Sequence, residues 1–534
     1  MLGSYSPVDR WLVVALLGLG VWMALASFDF GVTWDEPVQQ QYGELVFKYF
    51  RSGFQDTSAL GFSNLHLYGG LFDLACVLAQ KALPSVDKYD VRHLVNAAFG
   101  WLGIVFACRL GRLMSSPRAP FLTLLTLASW PTFFGHSMNN PKDIPFAAFY
   151  TAGLFYLCRL FREYPAPSWR TLAGVLAAIA LAINVRAGGI VLLVYLALVL
   201  GGYLFKARVL GQDRRRAPSI LALGGALVSM SILALVLGTA AWPWAQRQPL
   251  LRPLEALARL THFDSGSKVL FDGQMYSPGA LPWDYAPRWL LLTTPLLVLA
   301  GLACSFWRLR QRDRRATLAL VYFAAAFPVF FVISTGSALY DGVRHLLFIF
   351  PALATCAAVG LDTLLPRSGS FRGARAPRFW AAYGLVAILA YEPLAFSIRN
   401  HPNQYTYFNP IAGGTRGAFT HYELDYWGNC YKQAVRWLAK QAAGQPRPVE
   451  FGAQGAEHLP PLELPPNSNL VYLGASWEGH VAIRLMRGTP RGLRRAIDND
   501  RQLRLIEADG APLCLIAKAS KWSSLEEGPL NGPE

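Results

Sequence analysis

Eleven apolar runs that read as candidate membrane spans constrain this chain more than anything else in it. They lie at 11–28, 93–108, 119–135, 144–161, 170–185, 188–205, 218–242, 288–306, 317–335, 344–362 and 379–396. With 53% hydrophobic and only 15% charged residues, the chain is excluded from the soluble globular enzymes and reads as a polytopic α-helical membrane protein. The runs stop near Phe396, and the residues to Glu534 have the composition of ordinary soluble sequence. Two units are therefore expected: a membrane domain over 1–396 and a small α/β domain over 397–534. The first run lacks a small-residue cleavage site and is followed by ten more, so it reads as a retained anchor.

A further segment, 66–83, is apolar enough to be a twelfth span, and charge decides against it. If it does not cross, one side collects Arg109, Arg112, Arg118, Arg159, Arg162, Arg170, Lys206, Arg208, Arg214, Arg215, Arg216, Arg308, Arg310, Arg312, Arg314, Arg315, Arg367, Arg372, Arg375 and Arg378. Twenty basic residues in short loops mark that side as cytoplasmic. Asp73 and several glycines also suit 66–83 to an interfacial helix. The N-terminus is then inside, and the long first loop 29–92 and the C-terminal domain are outside. The net charge of +16 follows from these loops and from contact with anionic membrane lipid, and calls for no nucleic acid. Of seven cysteines, Cys76, Cys108, Cys158, Cys304 and Cys356 lie in apolar segments and read as buried small side chains. Cys430 and Cys514 fall in the tail and can pair if that domain lies outside the cytosol.

With this topology, the polar residues of the outer loops share one membrane face. Asp35 and Glu36 sit just where the first span ends, at a depth where an acidic pair is costly unless it is used or paired. Pro37 ends the preceding backbone and can open a new helix. The next outer loop, GHSMNNPKDIP at 135–145, holds His136, Asn139, Asn140, Lys142 and Asp143; Asn184 and Arg186 stand at a short turn; the last turn carries Tyr340, Asp341, Arg344 and His345. Loop 243–287 adds Trp, Pro and Asp. In the tail, short apolar runs at Val449–Gly452, Leu470–Leu473 and Leu513–Ala517 read as strands, with Asp509-Gly510 as a hairpin turn. Asn409-Pro410 and Gly413-Gly414 read as chain reversals, and no P-loop, GxGxxG or HExxH occurs.

A carboxylate opposite a cluster of cations describes glycosyl transfer. The carboxylate deprotonates an acceptor hydroxyl, and the cations (Lys142, Arg186, Arg344 and His345) stabilise a departing phosphate. Asn140, Tyr340 and Asp341 are placed to contact substrate. On an outward face no cytosolic nucleotide sugar is within reach, so the donor must be lipid-linked. The competing class is a transporter or lipid flippase, which predicts mid-span charges and symmetric halves; the chain shows almost none of the first and no repeat.

The DE pair after the first span, the N-x-K-D-x-P-F loop at 140–146, the Asp-Gly-x-Arg-His turn at 341–345 and the FNPIAGG…YELDYWG tail carry a resemblance over nearly the whole chain. They resemble bacterial relatives of the protein O-mannosyltransferases and the lipid A aminoarabinose transferase, in the glycosyltransferase C superfamily, which uses polyprenyl-phosphate sugars. The resemblance implies an inverting enzyme of the bacterial inner membrane, with its site facing the periplasm. It implies Asp35 as catalytic base, with Glu36 beside it, and Asp143 as the second-loop acid that binds the acceptor or positions the site. A basic residue on the donor phosphate is implied, without fixing which of Lys142, Arg186 and Arg344 it is. The large repeat domains of the eukaryotic protein mannosyltransferases have no counterpart, so the acceptor (protein, lipid or glycan) stays open. No metal and no cofactor are expected.

Overall fold

The computed structural model describes residues 7–209, 211, 218–263, 266–308, 315–365, 376–497 and 501–521. Nine of the inner basic residues (Arg214, Arg215, Arg216, Arg310, Arg312, Arg314, Arg367, Arg372 and Arg375) lie outside these. Among the described residues, eight helices are long and apolar enough to cross a membrane, and a bent pair makes a ninth. Two shorter apolar helices, Ala119–Ala128 and Trp169–Ile183, account for the remaining expected spans.

The first span is α1 (Pro7–Ala26). The loop after it folds into α2 (Glu36–Arg51) and α3 (Leu71–Ala82), which pack on each other; at 12 residues α3 is too short to span. Next come α4 (Lys88–Met114), α5 (Ala119–Ala128), α6 (Pro131–Asn139), α7 (Asp143–Arg162), α8 (Trp169–Ile183), α9 (Val191–Arg208) and α10 (Ile220–Gly238). The loop that follows carries α11 (Pro243–Gln246), α12 (Arg252–Thr261) and a hairpin of β1 (Val269–Phe271) with β2 (Gln274–Tyr276). Then α13 (Tyr285–Thr293), α14 (Leu296–Arg308), α15 (Arg315–Ser334), α16 (Phe350–Leu364) and α17 (Ala376–Arg399) complete the membrane part. Helices α7 and α16 are buried nearly all round, whereas α1, α10 and α17 expose most of their apolar surface, as lipid-facing helices do. Helix α14 can lie against α16 because small residues meet there: a Cβ on Gly360 would stand 1.9 Å from the Gly301 carbonyl oxygen.

Two expected spans are broken, both at proline. The run 119–135 divides at Pro131, and 288–306 bends by 110° at Pro295. Carbonyls freed at the second break need partners at this depth. Asn409 supplies them: its Nδ2 donates to the carbonyls of Leu291 (2.7 Å) and Thr294 (2.8 Å), and its backbone N–H to Leu292 (2.8 Å). Trp130 Nε1 donates to Thr293 O (3.0 Å). The Asn409-Pro410 reversal is thus also the stitch of a broken helix. Gly413 and Gly414 hold left-handed φ values of 76° and 69°, as turn glycines do.

The strand-bearing unit begins later than the expected boundary. Helix α17 runs to Arg399, and 400–429 threads irregularly between the ends of the helices, with α18 (Gly414–Ala418) its longest regular piece. Helix α19 (Cys430–Ala442) then packs on a five-stranded sheet of order β4-β3-β5-β7-β6. Its strands are β3 (Val449–Gln454), β4 (Leu470–Tyr472), β5 (Val481–Leu485), β6 (Gln502–Ala508) and β7 (Ala511–Lys518). The three anticipated strands are present, and β6 and β7 pair antiparallel around Asp509-Gly510, with Ala508 opposite Ala511. Strand β5, in a stretch of mixed polarity, gives no clear alternation in sequence. A disulfide joins Cys430 to Cys514, tying α19 to β7; the five membrane cysteines are free, four buried and Cys304 half-buried.

Candidate active site

Asp35 is the N-cap residue of α2, yet its carboxylate makes no cap hydrogen bond. Glu36 takes that work instead: its Oε2 accepts from Thr33 N–H (2.8 Å) and Thr33 Oγ1 (3.0 Å), and meets His93 Nε2 at 3.1 Å. The two adjacent acids therefore separate. Glu36 is buried and fixes the turn, while Asp35 keeps a quarter of its side chain exposed and faces Lys142 Nζ at 3.4 Å. Burial alone would raise the Asp35 carboxyl, but Lys142, Arg344 and Arg186 together hold it below its ordinary value. The positive end of α2 acts in the same direction.

The 140–146 loop opens α7 and delivers Lys142 and Asp143 on successive positions. Asn140 sets that turn: its Oδ1 accepts the Asp143 N–H (3.0 Å) and its Nδ2 donates to Asp143 Oδ2 (3.0 Å). Asp143 is buried between two guanidinium groups. Its Oδ1 takes a very short contact from Arg186, and its Oδ2 lies 3.6 Å from Arg344 Nη1. Tyr68, from the segment between α2 and α3, presents its ring to both Lys142 (4.8 Å to the centroid) and Arg186 (5.9 Å).

Arg344 is buried and held on three sides. Its Nε and Nη2 contact Asp341 Oδ2 at 3.1 and 3.0 Å, and its guanidinium lies over the rings of Tyr340 (4.7 Å) and Trp427 (5.1 Å). Asp341 sits at φ 57°, in the left-handed region uncommon for a residue with a Cβ. Its Oδ2 also accepts from Trp427 Nε1 (3.3 Å), and its Oδ1 from Arg487 Nη2 (2.8 Å). Arg487, two residues past β5, also pairs with buried Glu423 at 3.1 Å. Burial, against the pull of Arg487, pushes the Glu423 carboxyl up. His136 is buried against the Tyr426 hydroxyl (2.7 Å), and burial with the nearby Arg344 pulls it down to about 3, so it stays neutral. Among the described residues, no group of three His, Cys, Asp or Glu could hold a metal ion.

Beside the cations opens a cavity of about 330 Å³. Tyr68, Arg186, Tyr340 and His345 line its polar end; Phe146, Val191, Leu257, Leu260, Phe327 and Phe348 are among the apolar residues that line the rest. Val194 of α9 and Phe331 of α15, both on its wall, are also exposed, so it opens sideways through the helix bundle toward the lipid-facing surface. His345 Nδ1 is buried with no hydrogen-bond partner among the described residues.

The structure thus brings together Asp35, Lys142, Asp143, Arg186, Asn140, Tyr340, Asp341, Arg344 and His345, all named from the sequence. It sets Glu36 behind the site, and it adds Tyr68, Glu423, Trp427 and Arg487. Tyr68 lay within a segment notable only for hydrophobicity. Arg487 lay in a tail whose basic residues carried no positional signal.

Residues 86–239 match the family described as dolichyl-phosphate-mannose-protein mannosyltransferase. No curated protein matches the chain in sequence. Among solved structures, ArnT from Cupriavidus metallidurans in the apo state is similar with a TM-score of 0.52 at 17% identity, covering 99% of this chain and 100% of that one. The same protein bound to undecaprenyl phosphate gives a TM-score of 0.50 at 17% identity, covering 98% of this chain and 99% of that one. At such identity the likeness is one of fold. The family match over that stretch and the shared fold bear out the resemblance read from the sequence, and the chain has a multi-pass helical membrane fold like that of ArnT.

Proposed function

We propose that the protein is an inverting glycosyltransferase that takes its sugar from a polyprenyl-phosphate carrier, with Asp35 as general base. The cavity carries this reading: a trough, apolar along most of its length and open sideways to lipid, ends at Arg186, Tyr340 and His345. A long prenyl chain fits the apolar length, and an anionic phosphate the cationic end. The likeness to ArnT, whose structure holds undecaprenyl phosphate, supports the same carrier chemistry.

In the reaction, Asp35 takes the proton of an acceptor hydroxyl, whose oxygen attacks the anomeric carbon from the face opposite the phosphate. The bond from that carbon to the phosphate oxygen breaks, and its electron pair stays on the phosphate. A diester with one negative charge becomes a monoester with nearly two. One negative charge vanishes at Asp35 as another appears on the carrier. Lys142 pairs with Asp35 in the resting site. As Asp35 is protonated, Lys142 is released to the leaving group, so a base held low by its cation gains basicity when the phosphate needs that cation. Arg344 and Arg186, pre-placed on Asp143, bind the phosphate, and His345 Nδ1 offers a further hydrogen bond.

Residues 1–396 form the catalytic membrane domain in this reading, and 397–534 a domain on the outer, periplasmic face of a bacterial inner membrane. The Cys430–Cys514 disulfide supports that side, since disulfides persist in oxidising compartments. The test is purified protein in liposomes with a panel of donors. Turnover with polyprenyl-phosphate sugars and none with nucleotide sugars is expected. Turnover with a nucleotide sugar alone contradicts the proposal, as does carrier movement across the bilayer without cleavage of the sugar–phosphate bond.

A further inference from the structure

The tail segment Glu423–Asn429 touches both halves of the site. Asp425 folds it: Oδ1 accepts the N–H groups of Trp427 (3.2 Å), Gly428 (2.7 Å) and Asn429 (3.2 Å), and Oδ2 that of Cys430 (2.8 Å). On one side this loop grips the chain leading to Asp35. Trp427 O accepts Trp34 N–H (3.1 Å) and Asn429 Oδ1 accepts Gly31 N–H (2.8 Å), so closely that a Cβ on Gly31 would stand 2.5 Å from Asn429 O. On its other side, Trp427 Nε1 and Arg487 divide Asp341 with Arg344, while Glu423 and the Tyr426 carbonyl (2.9 Å from Nη1) hold Arg487 in place.

We infer that Arg487, carried by the C-terminal sheet, is a positioning residue for the donor phosphate: by holding one oxygen of Asp341, it leaves the Nη1 edge of Arg344, 3.6 Å from Asp143 Oδ2, available to the carrier. This rests on the functional reading above. Asp341 and Arg344 face each other in a buried setting, where a lone acid would bind its cation tightly and compete with any incoming anion. Arg487 halves that competition. It approaches Asp341 through Oδ1, whereas Arg344 and Trp427 use Oδ2, so the two cations share the acid without displacing each other. Asp341 is itself held in a left-handed backbone conformation, and Arg344, Trp427 and Arg487 together aim its carboxylate. Arg186, Asp143, Arg344, Asp341, Arg487 and Glu423 follow one another as a chain of alternating charges. In such a balanced chain, removing one end cation changes the charge available at the other.

The experiment measures the affinity of the full-length protein in nanodiscs for undecaprenyl phosphate, against uncharged undecaprenol as control. The variant is Arg487→Met with Glu423→Gln, which avoids a stranded buried carboxylate. It is expected to bind the phosphate about tenfold more weakly with undecaprenol binding unchanged, a coupling of the size neighbouring charges show. Adding Asp341→Asn removes the competitor and should restore affinity to within about twofold of wild type. A purely structural role for Arg487 gives the reverse, further loss with each change, and overturns the inference. Should the double variant fail to fold, Glu423→Gln alone decides. It leaves Arg487 wholly to Asp341, so phosphate affinity must hold or rise, and a clear fall overturns the proposal. A wild type that does not prefer the phosphate over undecaprenol refutes the functional reading itself; a preference that Asp341→Asn cannot restore refutes only the role of Arg487.

Discussion

The two acidic centres of the site, Asp35 and Asp341, are built in opposite ways. Asp341 is buried, with Oδ1 on Arg487 and Oδ2 shared by Arg344 and Trp427, and strained backbone beneath it. Asp35 is partly exposed and, among the described residues, has one ion-pair partner, Lys142, at 3.4 Å. The first arrangement is over-determined and cannot change its partners cheaply; the second can lose its cation during a reaction and regain it. Saturated charge serves here as scaffold, sparse charge as chemistry. Asp35 and Glu36, neighbours in sequence, show the same division within two residues.

The comparison breaks first, and by the most, at Asp35. Asp35→Asn keeps the shape and removes the charge, and transfer should fall by about 10³-fold, in the range of a lost general base. A near wild-type rate at matched expression would contradict the assignment. Arg344 comes next. Arg344→Ala should raise the donor KM by about 10²-fold and Arg344→Lys by about tenfold, because a phosphate needs charge first and forked geometry second. Equal, small effects would reduce Arg344 to an anchor. Glu36→Gln belongs on the scaffold side: about 1–3 kcal/mol of stability should be lost with the charged hydrogen bonds to Thr33, seen as a lower Tm, while the rate changes less than for Asp35→Asn. A rate loss equal to that of Asp35→Asn would make both acids reactive.

A smaller effect concerns pH. Because Lys142, Arg344 and Arg186 hold Asp35 below its ordinary value, the acid limb of kcat/KM should lie below that of a free aspartate. Lys142→Met removes the nearest of these cations, so the folded-state value of Asp35 rises and the limb moves to higher pH. An unmoved limb would separate Lys142 from the base.

Much of this was readable in the chain because it is local. The position of Asp35 after a span, the Asn140-to-Asp143 turn, the Asp341-to-Arg344 turn and the Asp509-Gly510 hairpin all depend on residues within a few positions. What escaped depends on residues far apart: Glu36 finds His93 across 57 positions, Gly31 finds Asn429 across 398, and Arg487 finds Asp341 across 146. No spacing rule reports such partners. The break at Pro295 was hidden for another reason, since hydropathy registers composition and not the direction of the backbone.

The exchange of Lys142 between Asp35 and the carrier phosphate is tested most directly by the affinity of Asp35→Asn for undecaprenyl phosphate. With the acid's charge gone, Lys142 is free before any reaction occurs. The variant should therefore bind the carrier several-fold more tightly than wild type while its transfer stays about 10³-fold lower. Weaker binding, or binding unchanged, would show that Lys142 does not pass between the two anions.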